Sequence, residues 1–154
     1  MIGLLQRVSE ANVTVDGREI ARIAAGLVVL LAVEPSDSEI EAERLLDRLT
    51  RYRVFQDPHG RMNLSLADTG GSLLLVPQFT LAADTRKGLR PGFARAADPG
   101  TGRALFEIAV RRARHLLGNE RVATGEFGAH MQVSLTNDGP VTFWLQVSAL
   151  TAPG

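Results

Sequence analysis

The segment MQVSLTNDGPVTFWLQV, residues 131–147, decides the fold class because it carries the most regular pattern in the chain. Apolar residues alternate with polar ones from 131 to 136 and again from 141 to 147. A period of two puts these side chains on opposite faces of a sheet. The intervening Asn137-Asp138-Gly139-Pro140 is typical of a turn. The segment therefore predicts two strands joined as a hairpin.

Further strands precede this segment. Val13 and Val15 alternate with polar residues and run into Asp16-Gly17, which predicts an early hairpin with a tight turn. The runs LVVLLAV (27–33) and SLLLV (72–76) are continuously apolar, as in strands buried on both faces. A short strand is predicted over 52–55, before the turn at 57–60.

Two helices are predicted. Ser36 and Glu39 have capping-box spacing, and apolar residues recur behind them at helical intervals up to Leu49. Asp98-Pro99 begins the second helix, with proline at its first position, and Gly118 ends it. We expect a single α/β domain over residues 1–154. Its seven to eight strands would lie in mixed and antiparallel sheets that form a barrel-like β layer, with two helices packed on it.

Composition excludes several kinds of chemistry. The chain has 154 residues, no cysteine, and equal numbers of acidic and basic side chains, 17 each. Disulfides and thiolate nucleophiles are therefore excluded. The three histidines show no metal-ligand spacing, so we predict no metal and no cofactor. No signal peptide or membrane-spanning run is visible, which favours a cytoplasmic protein without membrane contact.

The basic residues are clustered despite the zero net charge. Arg86, Lys87, Arg90 and Arg95 lie in a long polar loop at about 84–98, and loops of this length are often functional. A second group, Arg111, Arg112 and Arg114, lies on the second predicted helix. Either group could be an ordinary solvated patch or a site for phosphate contacts.

No nucleophile elbow, phosphate-binding loop or dinucleotide motif is present. Two local features remain. Gly139-Pro140 lies at the predicted hairpin tip, where glycine allows a ligand to approach the backbone closely, although turn prolines are common. Pro77-Gln78-Phe79-Thr80 follows a buried strand, and because Pro77 cannot donate to a ladder, strand pairing should end there.

These two features and their surroundings resemble the D-aminoacyl-tRNA deacylase family. The resemblance rests on IGLLQRV near the start, GGSLLLVPQFTLAAD and GLRPGF in the middle, and GEFGAHMQVSLTNDGPVTFWLQV at the end. It runs from Met1 to about Val147. The sequence departs from the family at Pro77 and Gly92, where serine is more usual.

The resemblance implies a homodimer that hydrolyses D-aminoacyl-tRNA, and Gly-tRNA as well, at sites in the subunit interface. Gln78, Phe79 and Thr80 match the catalytic segment. Gly139-Pro140 matches a Gly-cisPro element that enters the partner's site, binds the substrate amino group and excludes L side chains. Three further residues match supporting positions: Arg7, associated with the orientation of that element, and Phe127 and Met131, packed around the pocket. Arg86, Lys87, Arg90 and Arg95 are the candidate tRNA contacts.

Two catalytic mechanisms, and two functions other than D-aminoacyl-tRNA hydrolysis, stay open from the sequence. We favour catalysis by backbone N–H groups near Phe79 and Thr80 with help from the RNA 2′-OH. Thr80 as a nucleophile is the rival, although no neighbouring base is visible. The first other function is suggested by Pro77, which also suits a related deacylase group that has a trans proline and acts on mischarged L-alanine. The second is a tRNA-binding module without turnover.

Overall fold

Strand β1, Ile2–Val15, organises the main sheet of the computed structural model, which describes residues 1–149. It pairs antiparallel with β2, Arg18–Ile23, and with β3, Gly26–Ala32. The turn between β1 and β2 is formed by Asp16 and Gly17, both with positive φ (49° and 76°). The predicted early hairpin is therefore confirmed.

The remaining strands make the sheet mixed. They are β4 (Phe55–Gln56), β5 (Met62–Leu64), β6 (Ser72–Pro77), β7 (Val122–Thr124) and β8 (Gln132–Gln146). The sheet order is β2-β1-β3-β6-β7, with β3, β6 and β7 parallel and β8 paired to β1. Strands β4 and β5 form a separate small ribbon. The main sheet curls so that β2 lies near β6 and β7, which gives the predicted barrel-like layer.

The predicted hairpin at residues 131–147 is wrong. Strand β8 is continuous, and both of its halves pair with β1: Thr14 is opposite Gln132, and Ile2 is opposite Gln146. The register shifts where Gln6 pairs with Thr142 and Val8 with Asn137, so residues 138–141 bulge out. The physical reason is the length of β1, since 14 residues can pair with both halves in succession.

The two long helices lie where they were predicted, with one error at a cap. Helix α1, Glu39–Arg51, is capped by Ser38 with Glu41, two residues later than the predicted Ser36 and Glu39. Because α1 continues to Arg51 and Tyr52 caps it, the predicted strand over 52–55 begins only at Phe55. Helix α3, Pro99–Leu117, is capped by Asp98 and ends at Gly118.

A third, short helix was missed: α2, Leu66–Thr69. Its signal was present in the sequence, since Ser65 and Asp68 form a capping box and Gly70 ends the helix in the left-handed conformation. Helices α1 and α3 pack together on one face of the sheet, over a core that includes Leu5, Leu45 and Ala109. None of the helices in residues 1–149 is long and apolar enough to cross a membrane.

Candidate active site

A cavity of about 570 Å³ opens at the carboxyl end of β6. Its walls come from the ends of β3 and β6, from the start of α3, and from the segment between β7 and β8. Five residues predicted for the site line it: Pro77, Gln78, Phe79, Phe127 and Met131. The structure thus brings together residues that lie up to 54 positions apart in the chain.

Strand pairing ends where the sequence predicted. Pro77 opposite Leu31 is the last pair of the β3–β6 ladder, and the Gln78 N–H donates to the Leu31 carbonyl at 2.7 Å. The chain then turns into a short 3₁₀ helix, Phe79–Ala82. Within residues 1–149, the N–H groups of Phe79 and Thr80 have no hydrogen-bond acceptor. Two adjacent backbone donors are therefore available beside the cavity.

The side chain of Thr80 lies outside the cavity. The residue is exposed and is not among those that line the cavity. Its hydroxyl accepts a hydrogen bond from the Gln78 side-chain amide at 2.5 Å. No carboxylate or imidazole within the described chain is hydrogen-bonded to this hydroxyl, so it lacks the base that a threonine nucleophile needs.

Aromatic rings form much of the cavity wall. Phe79 is 57% exposed, and its ring centroid lies 5.2 Å from that of Phe93. Phe127 packs against Phe106 at 6.3 Å. Phe93 and Phe106 were not predicted as site residues. The sequence signal for Phe93 was its place in GLRPGF, one of the segments that carry the family resemblance. Phe106 lies on α3, whose apolar residues were predicted only to pack in the core.

Two glycines allow the cavity walls to pack closely. A Cβ on Gly102 would lie 3.3 Å from the Phe127 ring, and a Cβ on Gly125 would lie 2.7 Å from the Met131 sulfur. That sulfur also accepts the Glu126 N–H at 3.3 Å. Met131 is thus held by the segment that precedes it.

Gly139 and Pro140 do not line the cavity of their own chain. They lie exposed on the bulge in β8, and the peptide bond between them is cis. The buried Arg7 holds the bulge from below: its Nε donates to the Asp138 carbonyl at 2.8 Å and its Nη1 to the Val54 carbonyl at 2.6 Å. Arg7 therefore contacts the residue that precedes Gly139-Pro140.

The Asn137 side chain fixes the other side of the bulge. Its amide oxygen accepts the Val141 N–H at 2.6 Å, and its amide nitrogen donates to the Val141 carbonyl and to the Thr142 hydroxyl. From sequence, Asn137 is predicted as a turn residue and belongs to the final string of the family resemblance. It replaces the ladder bonds that the bulge removes.

Half of the predicted tRNA-binding side chains are already paired with acids. Arg86 donates two hydrogen bonds to Asp84, the shorter at 2.6 Å, and this contact holds the pKa of Asp84 well below its usual range. Arg95 lies 3.7 Å from Glu34. Lys87 and Arg90 are exposed and have no salt bridge within residues 1–149.

The loop that carries these side chains is closed at its base. Backbone hydrogen bonds run in both directions between Asp84 and Gly92, at 2.7 and 3.0 Å. The second basic group is also partly paired, because Arg112 contacts Asp47 on α1 at 2.8 Å. In the part of the chain that the structure describes, no group of three or more His, Asp or Glu side chains is arranged to hold a metal ion.

The fold and the site define a class of small mixed-sheet proteins in which an aromatic cavity opens at a strand end, beside backbone donors and few ionisable groups. Within this class the chain belongs to the D-Tyr-tRNA(Tyr) deacylase family, whose model matches residues 4–146. It is 62% identical over 147 residues to the D-aminoacyl-tRNA deacylase of Thioalkalivibrio sulfidiphilus (strain HL-EbGR7), covering 96% of this chain and 97% of the relative. The D-aminoacyl-tRNA deacylase of Janthinobacterium sp. (strain Marseille) is 61% identical, with the same coverage.

Two solved structures are similar to this chain. One, a c-Myc DNA Unwinding Element Binding Protein, superposes with a TM-score of 0.93 at 35% identity, covering 97% of this chain and all of that one. The other, described as a probable eukaryotic D-amino acid tRNA deacylase, has a TM-score of 0.84 at 19% identity and covers 95% and 98%. The second likeness shows a shared fold.

Proposed function

We propose that this protein hydrolyses the ester of D-aminoacyl-tRNA to release free amino acid and tRNA, and so removes mischarged tRNA from translation. Membership of the family over residues 4–146 is the observation that carries the proposal. The cavity supports it, because its aromatic rings suit stacking of the flat base of a 3′-terminal nucleoside. That placement would bring the ester to the strand end beside the Phe79 and Thr80 N–H groups.

Those two N–H groups would stabilise the oxyanion that forms when water attacks the ester carbonyl. Water adds to the carbonyl carbon, the ester C–O bond breaks, and the proton passes to the ribose oxygen that leaves. The neighbouring ribose hydroxyl of the RNA can assist this transfer, so the protein needs no acid–base side chain of its own. The absence of a base at the Thr80 hydroxyl within the described chain favours this mechanism over nucleophilic attack.

Thr80→Val tests the mechanism, since it removes the hydroxyl and keeps the backbone N–H. We expect the single-turnover rate to stay within about tenfold of wild type, because one hydrogen bond to Gln78 is lost. A near-complete loss of rate with unchanged substrate binding would contradict the backbone mechanism and support a threonine nucleophile.

The chiral filter in our proposal is the backbone of Gly139-Pro140. Carbonyl oxygens on a bulge held by Arg7 and Asn137 can bind the substrate α-amino group and leave no space for an L side chain. A D side chain would point to solvent, and glycine would be accepted because it has no side chain. These residues do not line the cavity of their own chain, so a filter that they form would act on the cavity of a second copy. We therefore propose a two-fold homodimer with a site at each end of the interface.

Mixed dimers test whether the site is shared. Gly102→Leu would block the cavity beside Phe127, and a Gly139→Ala/Pro140→Ala double variant would alter the filter. We expect the first variant to be inactive and the second to hydrolyse L-Tyr-tRNA. Mixing them under conditions of subunit exchange should restore selectivity, because the intact cavity of one chain meets the intact filter of the other. If dimers shown to contain one chain of each variant still hydrolyse L-Tyr-tRNA as the Gly139→Ala/Pro140→Ala variant does, a shared site is contradicted.

For tRNA binding, the structure favours Lys87 and Arg90 over the paired Arg86 and Arg95. Each phosphate contact should make affinity fall as salt rises. A Lys87→Glu/Arg90→Glu variant should therefore weaken binding of charged tRNA and reduce its salt dependence. Unchanged affinity would remove this loop from the tRNA interface.

A further inference from the structure

We infer that Arg103 binds the phosphate of the 3′-terminal nucleotide of the substrate. The inference rests on the proposed function, because it assumes that this nucleoside occupies the aromatic cavity. Arg103 lies on the second turn of α3, is exposed, and is not itself among the residues that line the cavity.

The guanidinium is held beside the cavity by one lining residue, Phe127. It stacks over the Phe127 ring, with its central carbon 4.9 Å from the ring centroid. Its Nη2 donates to the Phe127 carbonyl at 3.4 Å and lies 3.8 Å from the position that a Cβ on Gly128 would take. The preceding residue, Gly102, brings the helix within contact of the same ring. Arg103 is therefore fixed at the edge of the aromatic wall.

The Arg103 guanidinium forms no ion pair in the part of the chain that the structure describes. No Asp or Glu within residues 1–149 forms a salt bridge with Arg103, in contrast to Arg86, Arg95 and Arg112, which contact Asp84, Glu34 and Asp47. One carbonyl contact uses only one of the five guanidinium N–H donors. A planar, weakly hydrated cation with free donors is the group that proteins use to bind phosphate.

The position fits the terminal phosphate better than one further along the RNA. A base stacked in the cavity leaves its ribose at the mouth, and the 5′-phosphate of that ribose is the first anionic group outside. Arg103 contacts Phe127 in the cavity wall, whereas Lys87 and Arg90 precede the lining residue Phe93 by six and three positions and do not themselves line the cavity. Arg103 would thus orient the nucleotide, and the loop would contact RNA further out.

Three substrates with the same ester separate this role from a structural one. They are D-Tyr-tRNA, the 3′-D-tyrosyl ester of adenosine, and the same ester of adenosine 5′-monophosphate. For Arg103→Met we expect kcat/KM to fall roughly ten- to hundredfold on the two phosphate-bearing substrates, and less than about threefold on the adenosine ester. The salt dependence of tRNA binding should weaken by about 0.7 in its logarithmic slope. Arg103→Lys should recover part of the loss because it keeps the charge.

Arg18→Met is the matched control, since Arg18 is exposed at the start of β2 and does not line the cavity. It should leave all three substrates unchanged. An equal loss on all three substrates in Arg103→Met would overturn the inference, since it would show that Arg103 only supports Phe127. No loss on any substrate would overturn it as well. If the wild-type protein hydrolyses none of the three esters, the proposed function itself fails, which is a different outcome.

Discussion

Replacement of Arg7 by lysine should weaken the support of the bulge that carries Gly139-Pro140, the proposed chiral filter. Arg7 is 8% exposed and joins two segments through separate nitrogens: Nε to the Asp138 carbonyl at 2.8 Å and Nη1 to the Val54 carbonyl at 2.6 Å. A single lysine ammonium cannot reproduce the planar fork that reaches both carbonyls. We therefore expect one of the two hydrogen bonds to be lost and the bulge at 138–141 to lose its support.

The expected cost follows from these contacts. A hydrogen bond to a charged group contributes about 1.5–3 kcal/mol, so Arg7→Lys should lower the free energy of unfolding by that amount. Urea denaturation with an unchanged m-value measures it. The ratio of D-Tyr-tRNA to L-Tyr-tRNA hydrolysis should fall as well, because the bulge can move. Arg22→Lys is the control: Arg22 is an exposed arginine paired with Glu19, and its replacement should cost less than about 1 kcal/mol. Wild-type stability and selectivity in Arg7→Lys would refute this reasoning.

Further predictions concern the helix cap, the cavity wall and the aromatic pair. Hydrogen bonding from the Ser38 side chain lowers the pKa of Glu41 in the folded protein. The Glu41 charge therefore stabilises the fold at pH values above the unfolded pKa of about 4.3, and this contribution is lost as the pH falls through the lower folded pKa. Glu41→Gln should thus cost about 0.3–1 kcal/mol at pH 7 and less as the pH falls, measured by urea denaturation; a cost that does not change with pH would contradict it. Gly125→Ala should destabilise by about 1–3 kcal/mol and weaken substrate binding, because its Cβ would lie 2.7 Å from the Met131 sulfur; unchanged melting and KM would contradict this packing. Phe93→Ala should raise KM more than it lowers kcat by removing the partner of Phe79, whereas a pure kcat effect would place Phe93 in the chemical step.

Much of the fold could be predicted from local patterns. The tight turn at Asp16-Gly17, the buried runs of β3 and β6, and the start of α3 at Asp98-Pro99 each depend on residues within a few positions of one another. The predicted hairpin near residue 139 failed for the opposite reason. Its turn signal was correct in composition, but the pairing was decided by β1, more than 120 residues earlier in the chain.

The site shows the same division. The end of the ladder at Pro77 was predictable because proline lacks the N–H that a ladder needs. The roles of Arg7, Phe127 and Met131 came from the resemblance, and the structure adds their contacts. Nothing local indicated that Arg95 pairs with Glu34 or that Arg103 stacks on Phe127, since these contacts join segments that are distant in sequence and meet only in the folded chain.

The central claim is tested most directly by a matched deacylation assay on D-Tyr-tRNA, L-Tyr-tRNA, Gly-tRNA and L-Ala-tRNA, with trace metal chelated. A backbone filter formed by Gly139-Pro140 predicts rapid hydrolysis of the D-tyrosyl and glycyl esters, while both L esters are spared. Preferential hydrolysis of L-Ala-tRNA would contradict the filter and assign Pro77 a role in an L-alanine deacylase. Tight, salt-dependent binding with all four esters intact would contradict catalysis itself.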